Sequence, residues 1–445
     1  MDRRDFVKAG FLFTALPGDL NAGAQSPASA APGARSGPKP PLFPDNPQFW
    51  FETLRAFGAA GFGASEFGEV LVTAGRIAPG DYDSWYAAWN SIAERVEKEA
   101  ADQLYRGHKI SARDSFLRAS TYYRSSEFFL HGNPRDPRIE RAYRRSVDCY
   151  KTSARFFTPP IEPVEIPYEK TTMPGYYHRV DRSVRRRPVI VMHSGFDGSA
   201  EEMHLDARAA LDRGYNVLAF DGPGQFGPLH REGLTFRPDW ERVVTPVVDF
   251  VLKLPGVNQK RIALMGVSLG GELAPRAAAY EKRISALIAN DGVYDFGNLS
   301  QVSADQRPEF EQMLKAKDAP ELDRAIAAQM KASPVAAWGI TQGMYAMGTA
   351  TPRAYLAAAL DYNLRNGVAE AITCPTLVCT AEGDLFFKGQ AEELFDHLTC
   401  PKTLLRFTES EGAGDHCQVG ALRLSLARIY DWLDETFGPG PIDSP

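Results

Sequence analysis

Residues 266–271 read Gly-Val-Ser-Leu-Gly-Gly, a G-x-S-x-G pentapeptide with one further glycine. It follows the apolar run 262–265 and precedes a helical pattern at 272–280. In that context the chain turns sharply from strand to helix. Small neighbours let the serine adopt a strained conformation with its hydroxyl exposed. Ser268 is therefore the candidate nucleophile. A serine hydroxyl needs a base to take its proton and a carboxylate to orient that base. In the chain order serine, acid, histidine, Asp384 follows the apolar run 377–379 and His416 follows the run 404–407. Glu382 is the alternative acid. His397 falls inside the helical pattern 391–398 and reads as a surface residue. Asp415 reads as a loop anchor, and Cys417 as packing.

The oxyanion formed by attack needs two backbone donors, one after the nucleophile and one from the loop after the third strand. The expected donors are the amides of Leu269 and of Phe196, the latter in His193-Ser194-Gly195-Phe196-Asp197-Gly198. Gly195 allows close backbone approach. His193 is expected to brace this loop, and Asp221 to tie down the turn 221–225.

These residues need a scaffold. The short apolar runs 189–192, 217–220, 262–265, 287–289, 377–379 and 404–407 alternate with helical patterns, which implies a parallel sheet covered on both faces. A hairpin at 164–168 and 175–180 brings the total to eight strands, mostly parallel. Residues 46–160 are helical in pattern. Trp85, Trp89, Ile92 and Val96 recur at three and four, Ser84 is a candidate cap, and Ser111-x-x-Asp114 reads as a capping box. The strand signal vanishes over residues 301–367. The expected organisation is a helical cap domain at 46–160, an α/β core at 164–300 and 368–437, and a helical lid at 301–367.

The chain has 445 residues, with 50 Lys+Arg against 56 Asp+Glu, and a net charge of −6 opposes nucleic-acid binding. No apolar run approaches the roughly 18 residues of a membrane span. At the amino terminus Arg3 and Arg4 precede a short apolar run and Ala22-Gly23-Ala24, a twin-arginine pattern followed by a Pro/Ala/Gly/Ser linker. Residues 1–40 are expected to lie outside the fold and to direct export to the periplasm or beyond, the alternative being a disordered tail on a cytoplasmic protein. In an oxidising compartment Cys374 and Cys400, each before a proline and a strand-like run, would be either a disulfide or two buried thiols. No cofactor and no metal is expected.

Five segments carry a resemblance: Ile166-Pro167-Tyr168, Pro174-Gly175-Tyr176-Tyr177, Gly195-Phe196-Asp197-Gly198, Phe220-Asp221-Gly222-Pro223-Gly224-Gln225 and Gly412-Ala413-Gly414-Asp415-His416-Cys417-Gln418. Over roughly residues 46–437 the chain resembles the α/β-hydrolase superfamily. Within it, the likeness is to the subgroup of 2,6-dihydroxypseudooxynicotine hydrolase and the fungal heptaketide hydrolases. The resemblance implies Ser268 as nucleophile, Asp384 and His416 as its relay, Phe196 and Leu269 as oxyanion donors, and a homodimer. Phe226 stands where many relatives have glycine, which implies a narrower pocket. The carbon-carbon hydrolases of the group imply an extra carboxylate after the sixth strand, for which Asp291, Asp295, Asp305 and Glu309 are available.

The expected activity is that of a serine hydrolase. It would cleave, through an acyl-enzyme, a carbon-carbon or ester bond in an aromatic or polyketide-like small molecule. The alternatives are an exported carboxylesterase, an acylaminoacyl-type serine peptidase, whose usual β-propeller the helical region 46–160 does not match, and a non-catalytic ligand-binding scaffold.

Overall fold

Strand formation follows the apolar runs. The structure, a computed structural model, describes residues 40–298, 302 and 305–438. The twin-arginine segment lies outside the described residues. Eight strands form one sheet: β1 (Glu162–Tyr168), β2 (Thr171–His178), β3 (Arg187–His193), β4 (Asn216–Phe220), β5 (Val257–Val267), β6 (Ala286–Asn290), β7 (Thr376–Ala381) and β8 (Lys402–Phe407). Their order is β1-β2-β4-β3-β5-β6-β7-β8. The β1–β2 and β2–β4 pairs are antiparallel and the remaining pairs are parallel. Arg187 opens β3 and pairs with Asp181 at 2.5 Å.

Successive residues of a strand point to opposite faces, and here both faces are apolar. Val189, Val191, Leu264 and Leu287 share one core cluster, whereas Ile190, Met192, Met265 and Ile288 share another. The first face is covered by α8 (Glu241–Val251) and α9 (Gly270–Tyr280), through Val244, Val248, Leu273 and Ala277. The second is covered by α6 (His204–Leu211) and α15 (Leu422–Phe437), through Ala207, Ala210, Leu426 and Ile429. Burial on both sides is what makes these strands read as unbroken apolar runs.

Before the sheet come α1 (Pro47–Ala59), α2 (Phe67–Ala74), α3 (Tyr82–Tyr105), α4 (Lys109–Glu127) and α5 (Pro137–Ala154). The buried stripe of α3 contains Trp85, Trp89, Ile92 and Val96, the spacing of one helical face. Its cap differs from the expectation: Asp81 accepts the Ser84 amide at 3.0 Å, while Ser84 Oγ accepts from Ala78 N. The capping box at Ser111 does not form either, because α4 opens at Lys109 after the Gly107 turn and Ser111 already lies within it.

Between β6 and β7 the chain leaves the sheet for α10 (Arg307–Lys315), α11 (Pro320–Ala332), α12 (Pro334–Ala346) and α13 (Pro352–Ala359). Each has a proline in its first turn, where a missing N–H costs no helical hydrogen bond. Buried Asp295, just after β6, meets Arg307 Nη2 at 2.6 Å and Arg365 Nε at 3.3 Å, so one carboxylate holds both ends of this insertion. Among the described residues no helix is long and apolar enough to cross a membrane.

All five cysteines are free thiols, so Cys374 and Cys400 form no disulfide. Parallel β7 and β8 bring the two segments side by side, Thr376 opposite Lys402. The Cys400 thiol turns to Thr376 Oγ1 at 3.5 Å, and burial, with Cys400 nearby, pushes the Cys374 thiol up to about 12.

Candidate active site

The turn from β5 into α9 carries Ser268 with φ +63°, the left-handed region that non-glycine residues rarely occupy. Its amide donates to Asn290 O at 2.6 Å, which ties the turn to the end of β6. The turn is tight enough that a β-carbon at Gly266 would lie 1.9 Å from the Gly270 carbonyl oxygen. This is the physical reason for glycine at the first position of the pentapeptide; at its last, Gly270, a β-carbon would lie 2.9 Å from the Ser194 carbonyl oxygen.

His416 opens a short turn, His416–Gln418, beyond β8. Its Nε2 lies 2.9 Å from Ser268 Oγ and its Nδ1 2.8 Å from Asp384 Oδ2. Asp384 sits in the loop after β7, where Oδ1 accepts the amides of Phe386 at 2.7 Å and Phe387 at 3.0 Å. The three residues named from the sequence thus form one hydrogen-bonded line. Glu382, the alternative acid, instead accepts the Glu409 amide at 2.9 Å. The rings of Phe386 and Phe387 lie edge-on to His416, each 5.1 Å away, and Phe51 of α1 approaches at 6.1 Å. Burial works against the imidazolium, but the charge of Asp384 outweighs it, with Cys417 and Asp291 adding to the effect, and His416 stands well above the ordinary histidine value. Burial would also raise Asp384. The adjacent imidazole and the two amides prevail and hold it below the ordinary carboxylate range.

A fourth residue joins the line. Asp291, immediately after β6, places Oδ2 3.3 Å from His416 Nδ1 and accepts the Cys417 amide at 2.8 Å and Gln418 Nε2 at 2.7 Å. Cys417 and Gln418 have φ of +51° and +53°, and these two bonds secure that strained turn. Burial, with Asp384 close by, raises Asp291 above the ordinary range. The sequence offered Asp291 only as one of four acids after the sixth strand. Asp295, another of them, is committed to Arg307 and Arg365. Asp291, His416 and Cys417 are close enough for a metal site, but Nδ1 faces two carboxylates and Nε2 faces the serine hydroxyl, which leaves the ring no free nitrogen to ligate an ion. Burial raises the Cys417 thiol and keeps it in its neutral form.

The loop after β3 packs directly on the serine turn: a β-carbon at Gly195 would sit 2.4 Å from Leu269 N and 2.7 Å from Val267 O. The loop that carries Phe196 therefore lies against the backbone of the serine turn at Leu269. His193 braces the loop from beneath, with Nδ1 2.8 Å from Ser194 O and Nε2 accepting from Trp240 Nε1 at 3.3 Å. Asp221 accepts the Gly227 amide at 3.0 Å.

A cavity opens above Ser268 and His416, between the sheet, the helices before it and the inserted helices. Its apolar wall includes Phe51, Phe196, Phe296, Trp338, Tyr355 and Phe386. Arg55, Arg124, Asp197 and Glu202 form its polar end. Phe226, expected to narrow the pocket, does not line it. It opens α7 (Phe226–Glu232) and packs edge-on to Tyr143 of α5 at 5.0 Å.

Residues 189–419 match the alpha/beta hydrolase family. The chain is 35% identical over 410 residues to 20-hydroxy-prefusarin hydrolase FUS2 of Gibberella moniliformis, covering 87% of this chain and 96% of that protein. It is 34% identical over 414 residues to hydrolase LUC6 of a Fusarium species, covering 88% and 96%. Among solved structures, 2,6-dihydroxy-pseudo-oxynicotine hydrolase superposes with a TM-score of 0.64 at 24% identity, over 85% of this chain and 95% of its own, a likeness of fold. By family match, by relatives spanning nearly their whole length and by sheet order, the chain belongs to the α/β hydrolase family and is a hydrolase.

Proposed function

We propose that this hydrolase works through Ser268 and an acyl-enzyme on a carbonyl-bearing small molecule with a flat apolar body. The observation that carries the reading is the line Ser268 Oγ–His416 Nε2, His416 Nδ1–Asp384, at 2.9 and 2.8 Å. Ser268 Oγ attacks the carbonyl carbon and its proton passes to His416 Nε2, while Asp384 stabilises the imidazolium and fixes its tautomer. The oxyanion receives the Phe196 and Leu269 amides. As the intermediate collapses, the leaving group departs with the proton held by His416, and the acyl group stays on Ser268. Water then attacks the ester, again with His416 as base, and frees the acid.

The leaving group is an alkoxide equivalent or a stabilised carbanion. In the second case a neighbouring carbonyl or phenol ring must accept the electron pair as an enolate. The aromatic wall of Phe51, Phe296, Trp338 and Phe386 supports an aromatic or polyketide-like ligand, and the similarity to a protein named for hydrolysis of 20-hydroxy-prefusarin points the same way.

The test compares wild type with Ser268→Ala on p-nitrophenyl esters, aminoacyl anilides and aryl β-diketones. Turnover lost in the variant on every substrate that wild type cleaves supports the reading. Equal turnover by the two proteins refutes it. Diketone cleavage without ester cleavage assigns the carbon-carbon reaction.

A further inference from the structure

The Phe196 N–H shares its peptide plane with Gly195 O, and the tilt of that plane is set both by the partner of Gly195 O and by the neighbouring planes, which the partners of Ser194, Phe196 and Asp197 O hold. In the loop that carries Phe196, four successive carbonyls accept side-chain donors. Gln225 Nε2 donates to Ser194 O at 2.5 Å and to Gly195 O at 3.4 Å. Gln342 Nε2 donates to Phe196 O at 3.0 Å, and Arg124 Nη2 to Asp197 O at 2.7 Å. The three donors come from three parts of the molecule: Gln225 from the core, Gln342 from lid helix α12 and Arg124 from cap helix α4. The Asp197 carboxylate is held the same way, by Arg124 at 3.1 Å and by Arg55 of α1 at 3.0 Å.

Gln342 is the informative member. It is buried, its Oε1 has no partner among the described residues, and it does not line the cavity. A buried amide with an unsatisfied acceptor is costly, so its one bond, to Phe196 O, is the role left for it. Arg124 is bound to Glu202 at 2.8 Å as well as to Asp197, which leaves its charge engaged with the protein rather than with a ligand.

We propose that Gln342 and Arg124 are positioning residues of the oxyanion hole, so that the hole is complete only when lid and cap both grip the loop 194–197. This rests on the reading of Phe196 as an oxyanion donor. Closure then acts on transition-state stabilisation as well as on access.

Gln342→Met keeps the length of the side chain and removes the donor. With a p-nitrophenyl ester, kcat is expected to fall about tenfold or more, because a misaligned donor loses part of what a deleted one loses, while KM stays within about twofold. An aryl trifluoromethyl ketone, which Ser268 converts to an oxyanionic hemiketal, should bind the variant more weakly by the same factor. The parent methyl ketone should bind both proteins equally. A rise in KM with kcat unchanged, or a loss of kcat with trifluoromethyl ketone affinity intact, overturns the proposal. Arg124→Lys, which keeps the buried charge but not the fork, is put through the same comparison and serves alone where Gln342→Met does not fold. The underlying reading is checked separately: it fails if wild type gives no hemiketal and Ser268→Ala still turns over the ester.

Discussion

Asp291 and Asp384 converge on a single atom: their Oδ2 oxygens lie 3.3 and 2.8 Å from Nδ1 of His416. One imidazole N–H faces two buried carboxylates delivered by neighbouring strand ends, those of β6 and β7. Both favour the imidazolium, Asp384 more strongly.

The pH dependence follows. A general base must be neutral, so activity rises with pH through the pKa of His416, which stands above the ordinary value. Removing either carboxylate removes a source of that elevation, and the acid limb of kcat/KM moves to lower pH in Asp384→Asn and in Asp291→Asn. Loss of a triad carboxylate costs about 10⁴ in kcat where nothing replaces it. With Asp291 still facing Nδ1, Asp384→Asn should lose on the order of 10², and the double variant should fall well below it. A pH–rate profile of the three proteins checks this, and a double variant no slower than Asp384→Asn would exclude a part for Asp291.

Gly195→Ala inserts a β-carbon 2.4 Å from Leu269 N, a contact that only movement of the loop away from Ser268 relieves. We expect kcat to drop about a hundredfold, the scale of one lost oxyanion donor, with a stability loss of about 1–3 kcal/mol from overpacking. Steady-state kinetics beside a thermal melt separate the two effects, and a variant of unchanged kcat would be the contrary result.

Asp295→Ala leaves Arg307 and Arg365 with only Glu311 as a shared partner, at 2.7 and 3.6 Å. Both arginines are partly exposed, so the loss is discounted to about 2 kcal/mol from the larger figure for a fully buried pair, or roughly 2–3 °C in a thermal melt of a fold this size. Because the ends of the inserted helices, which line the cavity, are released, KM should rise with it. A melt unchanged from wild type would show that the clasp contributes nothing.

Denatured without reductant, the native protein should show five thiols to a colorimetric reagent, one for each cysteine. A count of three would mean that a bridge forms in solution.

Ser268, Asp384 and His416 were legible because each follows a buried apolar strand, and strand ends are where this architecture presents side chains. Asp291 also follows such a strand. It went unassigned because its reach to Nδ1 depends on the strained turn at Cys417 and Gln418, which no local pattern announces. Gln342 and Arg124 left no signal at all: they meet the loop from 146 and 73 residues away. The two misread caps, Ser84 and Ser111, show the limit of short motifs. Asp81 stands three residues before Ser84 and took the amide, and the Gly107 turn had already started α4 before Ser111 was reached. The Cys374 and Cys400 segments do lie side by side at the start of β7 and β8, yet proximity of backbones does not aim two sulfurs at each other.

The Asp295 clasp has an evolutionary meaning. Since the departing and returning chains are fastened at one spot just beyond β6, a change of length or composition between them need not disturb the register of β6 and β7. New substrates can then be recruited by rewriting helices α10–α13, provided the rewritten part retains a donor where Gln342 stands.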